Sequence, residues 1–112
     1  MNTKTFVEMT DKWYEYVSMD HHKDRDCHWV IETDFAYGNK PTYIAMHHGY
    51  IANSRTGQDR ETYQEAFEDL VEFLKDAIDG ERDWAKEVLL NPEEYDGWDI
   101  TRASFFKNEF GL

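Results

Sequence analysis

Five histidines and a single cysteine are the residues whose types could bind a transition metal or carry nucleophilic chemistry. His21, His22, Cys27 and His28 crowd one short stretch, and His47 and His48 approach them if the intervening segments pair as strands. Imidazole and thiolate are ligands for zinc and related metals. The pairs His21-His22 and Cys27-His28 match no established zinc spacing, however, and neighbouring residues on a strand point to opposite faces, so each pair offers one inward ligand. His21, His22, Cys27, His28 and His47 are therefore candidate ligands only in an alternative reading. Cys27 beside His28 is a neighbour pair and not a catalytic constellation. The chain has no Gly-x-Ser-x-Gly elbow, phosphate-cradling glycine loop or dinucleotide fingerprint. Glu32 and Asp34 could face a ligand from a sheet, but no periodicity singles out a carboxylate pair with contrasting environments. The expectation is a protein that is not an enzyme and needs no cofactor.

Carboxylates form the stronger pattern. Between residues 59 and 99 there are 15 acids against Arg60, Lys75, Arg82 and Lys86, a balance of −11 out of −12 for the whole chain. At 100° per residue, Glu61, Glu65, Glu68, Asp69, Glu72, Asp76 and Asp79 fall on one arc of a helix. Tyr63, Ala66, Phe67, Leu70, Val71, Phe73, Leu74, Ala77 and Ile78 fall on the opposite one. Like charges at i and i+4 destabilise an isolated helix by a few tenths of a kcal/mol per pair, roughly. An exposed face so nearly uniform in sign is therefore either an ordinary solvated face or a surface kept for a positively charged partner. Glu93, Glu94 and Asp96 extend the negative region, and Tyr95 and Trp98 among them could anchor an interface.

The elements that must position these residues follow from periodicity. Thr5 with Glu8 fits a capping box, and Phe6, Met9, Trp13, Tyr16 and Val17 recur on one face of a helix reaching about residue 19. Trp29, Ile31, Thr33 and Phe35 alternate with Val30, Glu32 and Asp34, which predicts a strand with one buried face. A turn over Tyr37 to Pro41 leads to a second strand, Thr42 to His47, and His48-Gly49 to a third, Tyr50 to Asn53. Ser54 to Gln58 reads as a loop. A long helix over residues 60–79, with Asp59 as its cap and Gly80 just past its end, precedes a shorter one over Glu81 to Leu90 that stops at Asn91-Pro92. Glu93 to Asp99 reads as a loop, and Ile100 to Phe110 as a last helix anchored by Phe105, Phe106 and Phe110. The predicted fold is one α+β domain over residues 1–112: an N-terminal helix, a three-stranded antiparallel meander, a long acidic amphipathic helix, then short C-terminal helices.

At 112 residues the chain suits a single core, and 18 aromatics (4 Trp, 7 Tyr and 7 Phe) supply large apolar surfaces for it. A net charge of −12 disfavours direct contact with nucleic acid and with anionic membranes. A lone cysteine permits no internal disulfide, and neither a secretory signal nor a membrane-length apolar run is present, so a cytoplasmic location is expected. The small size, the order of elements and the acidic helix resemble phage-borne inhibitors of bacterial immunity, the anti-CRISPR and anti-restriction proteins of DNA-mimic type. That resemblance implies an inhibitory protein acting in the bacterial host cytosol by occupying a basic nucleic-acid-binding surface, such as that of a CRISPR or restriction nuclease. Two alternatives stand beside it: a small metal-binding or catalytic domain using the histidines, and an accessory subunit whose Tyr95, Trp98, Phe105 and Phe106 complete an oligomer.

Overall fold

The computed structural model describes residues 1–19, 28–35, 38, 40–48, 53–55 and 57–112. The chain is α+β. Its elements run α1 (Thr3–Ser18), β1 (His28–Asp34), β2 (Thr42–His48), β3 (Asn53–Arg55), α2 (Tyr63–Leu90), a 3₁₀ turn (Pro92–Glu94) and α3 (Gly97–Phe110).

Helix α1 starts two residues before the predicted Thr5 cap, because the Asn2 side-chain oxygen accepts the Thr5 N–H at 2.8 Å and satisfies an orphan donor of the first turn. Its Phe6, Trp13, Tyr16 and Val17 are buried, as the spacing predicts. β1 and β2 pair antiparallel with Trp29 opposite His47 and Ile31 opposite Ala45. The predicted inward face of β1 holds only over its first half. Trp29 and Ile31 pack against the core, whereas Thr33 is exposed and Phe35, beyond the last paired rung of Asp34 with Thr42, is 61% exposed. Of the predicted third strand, Tyr50 to Ala52 lies outside the described residues. The segment paired with the end of β2 is the three-residue β3, which begins at Asn53 and runs into the stretch predicted as loop. Arg60 then bridges Tyr43 through two backbone hydrogen bonds of 2.8 Å each.

That bridge delays α2. Arg60 is extended beside β2, so Asp59 cannot cap the helix. Thr62 does so instead, its hydroxyl oxygen accepting from the Glu65 N–H at 3.2 Å while the Glu65 carboxylate accepts the threonine hydroxyl at 2.8 Å. The predicted break at Gly80 is absent: α2 is one helix of 28 residues, roughly 42 Å long at 1.5 Å per residue. Gly80 is not in the positive-φ region that ends helices at glycine, and Ala85 and Val88 continue the buried stripe set by Ala66, Phe67, Leu70, Val71, Leu74 and Ile78. Asn91-Pro92 ends the helix. Tyr63, assigned to the core by its angle, is 59% exposed at the helix start, its ring meeting only the edge of Tyr43 among the described aromatic pairs. The loop predicted over Glu93 to Asp99 is a 3₁₀ turn followed by the start of α3, which Asp96 caps by accepting the Asp99 N–H at 2.8 Å.

The core lies where α1, α3 and the inner face of the sheet meet α2, with Tyr16, Leu74, Val88 and Phe106 its largest fully buried side chains. Among the described residues, no helix is long and apolar enough to cross a membrane.

Candidate docking face and the buried arginine cluster

The acids of α2 sort into two groups once their surroundings are known. Glu65, Glu68, Glu72, Asp76, Asp79, Asp83 and Glu87 are exposed and follow one another along a single unbroken helix. From Glu65 to Glu87 the rise is 22 steps of 1.5 Å, roughly 33 Å, or about one carboxylate every 5.5 Å. One strand of DNA carries a phosphate about every 3.4 Å along its axis, so the strip is sparser than a nucleic-acid backbone. It offers a line of charge and not a phosphate-by-phosphate copy.

Two predicted members leave the strip. Glu61 precedes the helix, lies one residue past the Tyr43–Arg60 bridge, and lines a shallow open cavity with Lys40, Pro41 and Thr42. Helical periodicity does not apply to it. Asp69 is half-buried and held by both arms of Arg60, at 2.8 and 2.9 Å. The hydrogen bonds to Asp69 raise the Arg60 pKa above its ordinary value, opposed by burial and helped by nearby Glu65 and Glu68. Gly57 closes over the same carboxylate, for a Cβ there would come within 2.9 Å of an Asp69 oxygen and 3.1 Å of its Cβ. Asp69 thus ties the strand-like Arg60 segment to the helix.

Basic residues temper the rest of the strip without covering it. Lys75 approaches Glu72 at 3.7 Å, and Arg82 bonds Asp79 while also donating to the carbonyls of Gly111 (3.2 Å) and Phe110 (3.3 Å) at the end of α3. The like-charge neighbours Glu65–Glu68, Glu68–Glu72, Glu72–Asp76, Asp76–Asp79, Asp79–Asp83 and Asp83–Glu87 remain. Screening that repulsion by raising NaCl from about 0.05 to about 0.5 M is expected to stabilise the protein by about 1 kcal/mol. Urea unfolding at the two salt concentrations measures it, and a stability that falls with salt would mean that attractive pairs dominate the surface.

The residues expected to extend the docking face are partly committed to the fold. Glu93 and Glu94 are exposed on the 3₁₀ turn, but Asp96 is the α3 cap. Trp98 is 46% exposed, with its indole N–H donating to the Met19 carbonyl at 2.7 Å, and so joins α3 to the end of α1. Tyr95 is half-buried against the core. Burial, then a hydrogen bond to Glu87, raises its pKa above the ordinary tyrosine value of 10.0. A raised phenol pKa favours the neutral form in the folded state. The stabilisation it contributes is complete below the unfolded pKa of about 10 and is lost as pH rises through the folded value. In an alkaline absorbance titration, the difference between the native protein and Tyr95→Phe is expected to place this tyrosine above pH 10; a difference curve centred below 10 contradicts the burial.

Sequence reading missed a second constellation. Arg102 is buried, with its guanidinium over the rings of Tyr16 (5.1 Å) and Trp84 (4.7 Å). It donates to the Tyr16 hydroxyl at 3.3 Å, and that hydroxyl donates to Glu81 at 2.6 Å. Asp99 stands 3.9 Å away on the preceding turn of α3. The signal for it lay in Glu81: continued through Gly80, the helical count puts this acid in the middle of the apolar arc, where only a bonded carboxylate is tolerated.

Among the metal candidates, His21, His22 and Cys27 lie outside the described residues. The β1–β2 register sets His28 opposite His48 and His47 opposite Trp29, so His28 and His47 occupy different rungs. The His47 ring packs beside Trp29 (4.7 Å) and Phe73 (6.1 Å), which also meet each other, an aromatic setting that joins the sheet to α2. Among the described residues, no group of three or more His, Cys, Asp and Glu side chains could hold a metal ion. Phe105 is half-buried and Phe106 fully buried, both packed in the core. Comparison of the chain with known proteins finds no matching family model, no matching curated protein and no matching solved structure.

Proposed function

We propose that this chain is an inhibitory binding protein whose α2 strip docks on a basic, nucleic-acid-binding surface of another protein and blocks it, with no cofactor and no turnover. A CRISPR or restriction nuclease in a bacterial cytosol is the partner class that this reading names. The observation that supports it is the continuity of the strip: seven exposed carboxylates follow one another along a single helix, on a chain whose residues outside 59–99 carry a net charge of only −1. Such a line of charge is matched by a groove of Lys and Arg that tracks a phosphate backbone, and it steers association electrostatically.

The test is DNA cleavage by a panel of purified CRISPR and restriction nucleases with the native protein and with the triple variant Glu65→Lys, Glu68→Lys, Glu72→Lys. Inhibition of a nuclease by the native protein alone, weakening steeply as salt rises, supports the reading. Absence of inhibition across the panel, or equal inhibition by the triple variant, overturns it.

A further inference from the structure

We infer that Gly80 is a bending point that divides the molecule into two lobes carried on one helix. The residues of α2 before and after it pack against different elements. Before it, Phe67 meets Phe6 at 5.4 Å, and Phe73 meets Trp29 at 5.2 Å and His47 at 6.1 Å, which seats this half on the sheet and the start of α1. After it, Glu81 accepts the Tyr16 hydroxyl, Arg82 holds the last carbonyls of α3, and Trp84 lies over Arg102. This half is seated on α3 and the end of α1.

Glycine at the joint has no packing reason. Gly80 is exposed, a Cβ there would meet nothing within 4 Å, and its φ is not positive. In the interior of a helix, glycine costs about 1 kcal/mol relative to alanine, because it leaves the backbone more conformations. Helices bend where such freedom, or a proline, interrupts them. Along the outer face Asp79 and Asp83 repel across the glycine, while Arg82 bonds Asp79 over the same turn. Helix α1 crosses the same joint, with Phe6 at one lobe and Tyr16 at the other, and restrains the amplitude of the bend. Bending would let the carboxylates from Glu65 to Asp79 and those at Asp83 and Glu87 meet a curved basic surface; this last step rests on the docking reading, whereas the bend itself does not.

The experiment uses the full chain, free in solution, with Cys27→Ser, Gln64→Cys and Asn108→Cys, spin-labelled at the two new cysteines, one on each lobe. Pulsed dipolar distance distributions are compared with those of the same protein carrying Gly80→Ala. A distribution roughly twofold broader with glycine than with alanine is the expected result, since alanine stiffens the backbone at that position. Gly80→Ala is also expected to raise the melting temperature, whether or not the helix bends, which verifies that the variant folds. Equal widths overturn the inference and leave the docking reading standing; unequal widths with no nuclease inhibition by the native protein would do the reverse.

Discussion

Replacing Arg102 with alanine is expected to destabilise the protein by about 3 kcal/mol, the cost of breaking a buried charge network by removing one partner. Arg102 is 6% exposed and its guanidinium lies over Tyr16 and Trp84, so alanine loses two ring contacts and opens a cavity between α1, α2 and α3. It also removes the donor to the Tyr16 hydroxyl, which leaves Glu81 with one fewer positive charge nearby. A domain of this size is stable by only about 5–15 kcal/mol, so the loss is a large fraction of the total. Lysine at the same position keeps the charge but not the planar stack, and should recover part of the loss. Urea unfolding followed by tryptophan fluorescence measures both variants. An Arg102→Ala cost below about 1 kcal/mol would mean that the cluster is no more than a surface ion pair. Combining Arg102→Ala with Glu81→Gln should cost less than the sum of the two single changes, because the second removes the charge that the first leaves uncompensated.

The triple reversal Glu65→Lys, Glu68→Lys, Glu72→Lys should reduce partner affinity by about 100-fold or more while leaving the fold intact. Each reversal exchanges an attractive contact for a repulsive one, and like-charge juxtaposition at an interface costs several kcal/mol. The three side chains are exposed on the helix surface and contribute nothing to the apolar stripe. Glu72→Lys turns the repulsion with Asp76 into attraction but exchanges the Lys75 pair for a like-charge contact, and Glu65→Lys and Glu68→Lys bring positive charge near Arg60, so a loss of about 1 kcal/mol is expected. The N-terminal turn adds to it: Glu65 accepts the Thr62 hydroxyl there, and its loss removes a few tenths of a kcal/mol, roughly, from the cap. Circular dichroism and melting verify the fold before the nuclease assay is interpreted. A variant that melts normally and still inhibits places the docking surface elsewhere on the molecule.

The sequence shows where the long helix is but not where it stops. Its apolar stripe is carried by local spacing, which the backbone period of 3.6 residues makes visible. Its start depends on Arg60, whose pairing with Tyr43 across 17 positions holds the chain extended and hands the cap to Thr62. Its continuation through Gly80 depends on α3, because burial of Ala85 and Val88 outweighs the local preference of glycine for a helix end. The boundary errors at Asp59 and Gly80 therefore share one cause: caps and breakers are weak local signals that distant packing overrules. The start of α3 within Glu93 to Asp99 is different, being marked by a local cap, Asp96.

The candidate site divides the same way. The sequence by itself determined that one face of a helix would be acidic, that the charge is concentrated between residues 59 and 99, and that Phe6, Trp13 and Tyr16 of α1 would turn inward. These properties depend on composition and on the period of a single element. Only the tertiary structure decided which carboxylates are engaged by other segments: Asp69 by Arg60 under Gly57, Glu81 by Tyr16. It alone seated Arg102 between two rings and committed Trp98 to the join of α3 with the end of α1. Charge can be counted along a chain, but the pairing of a charge depends on which distant segment folds against it.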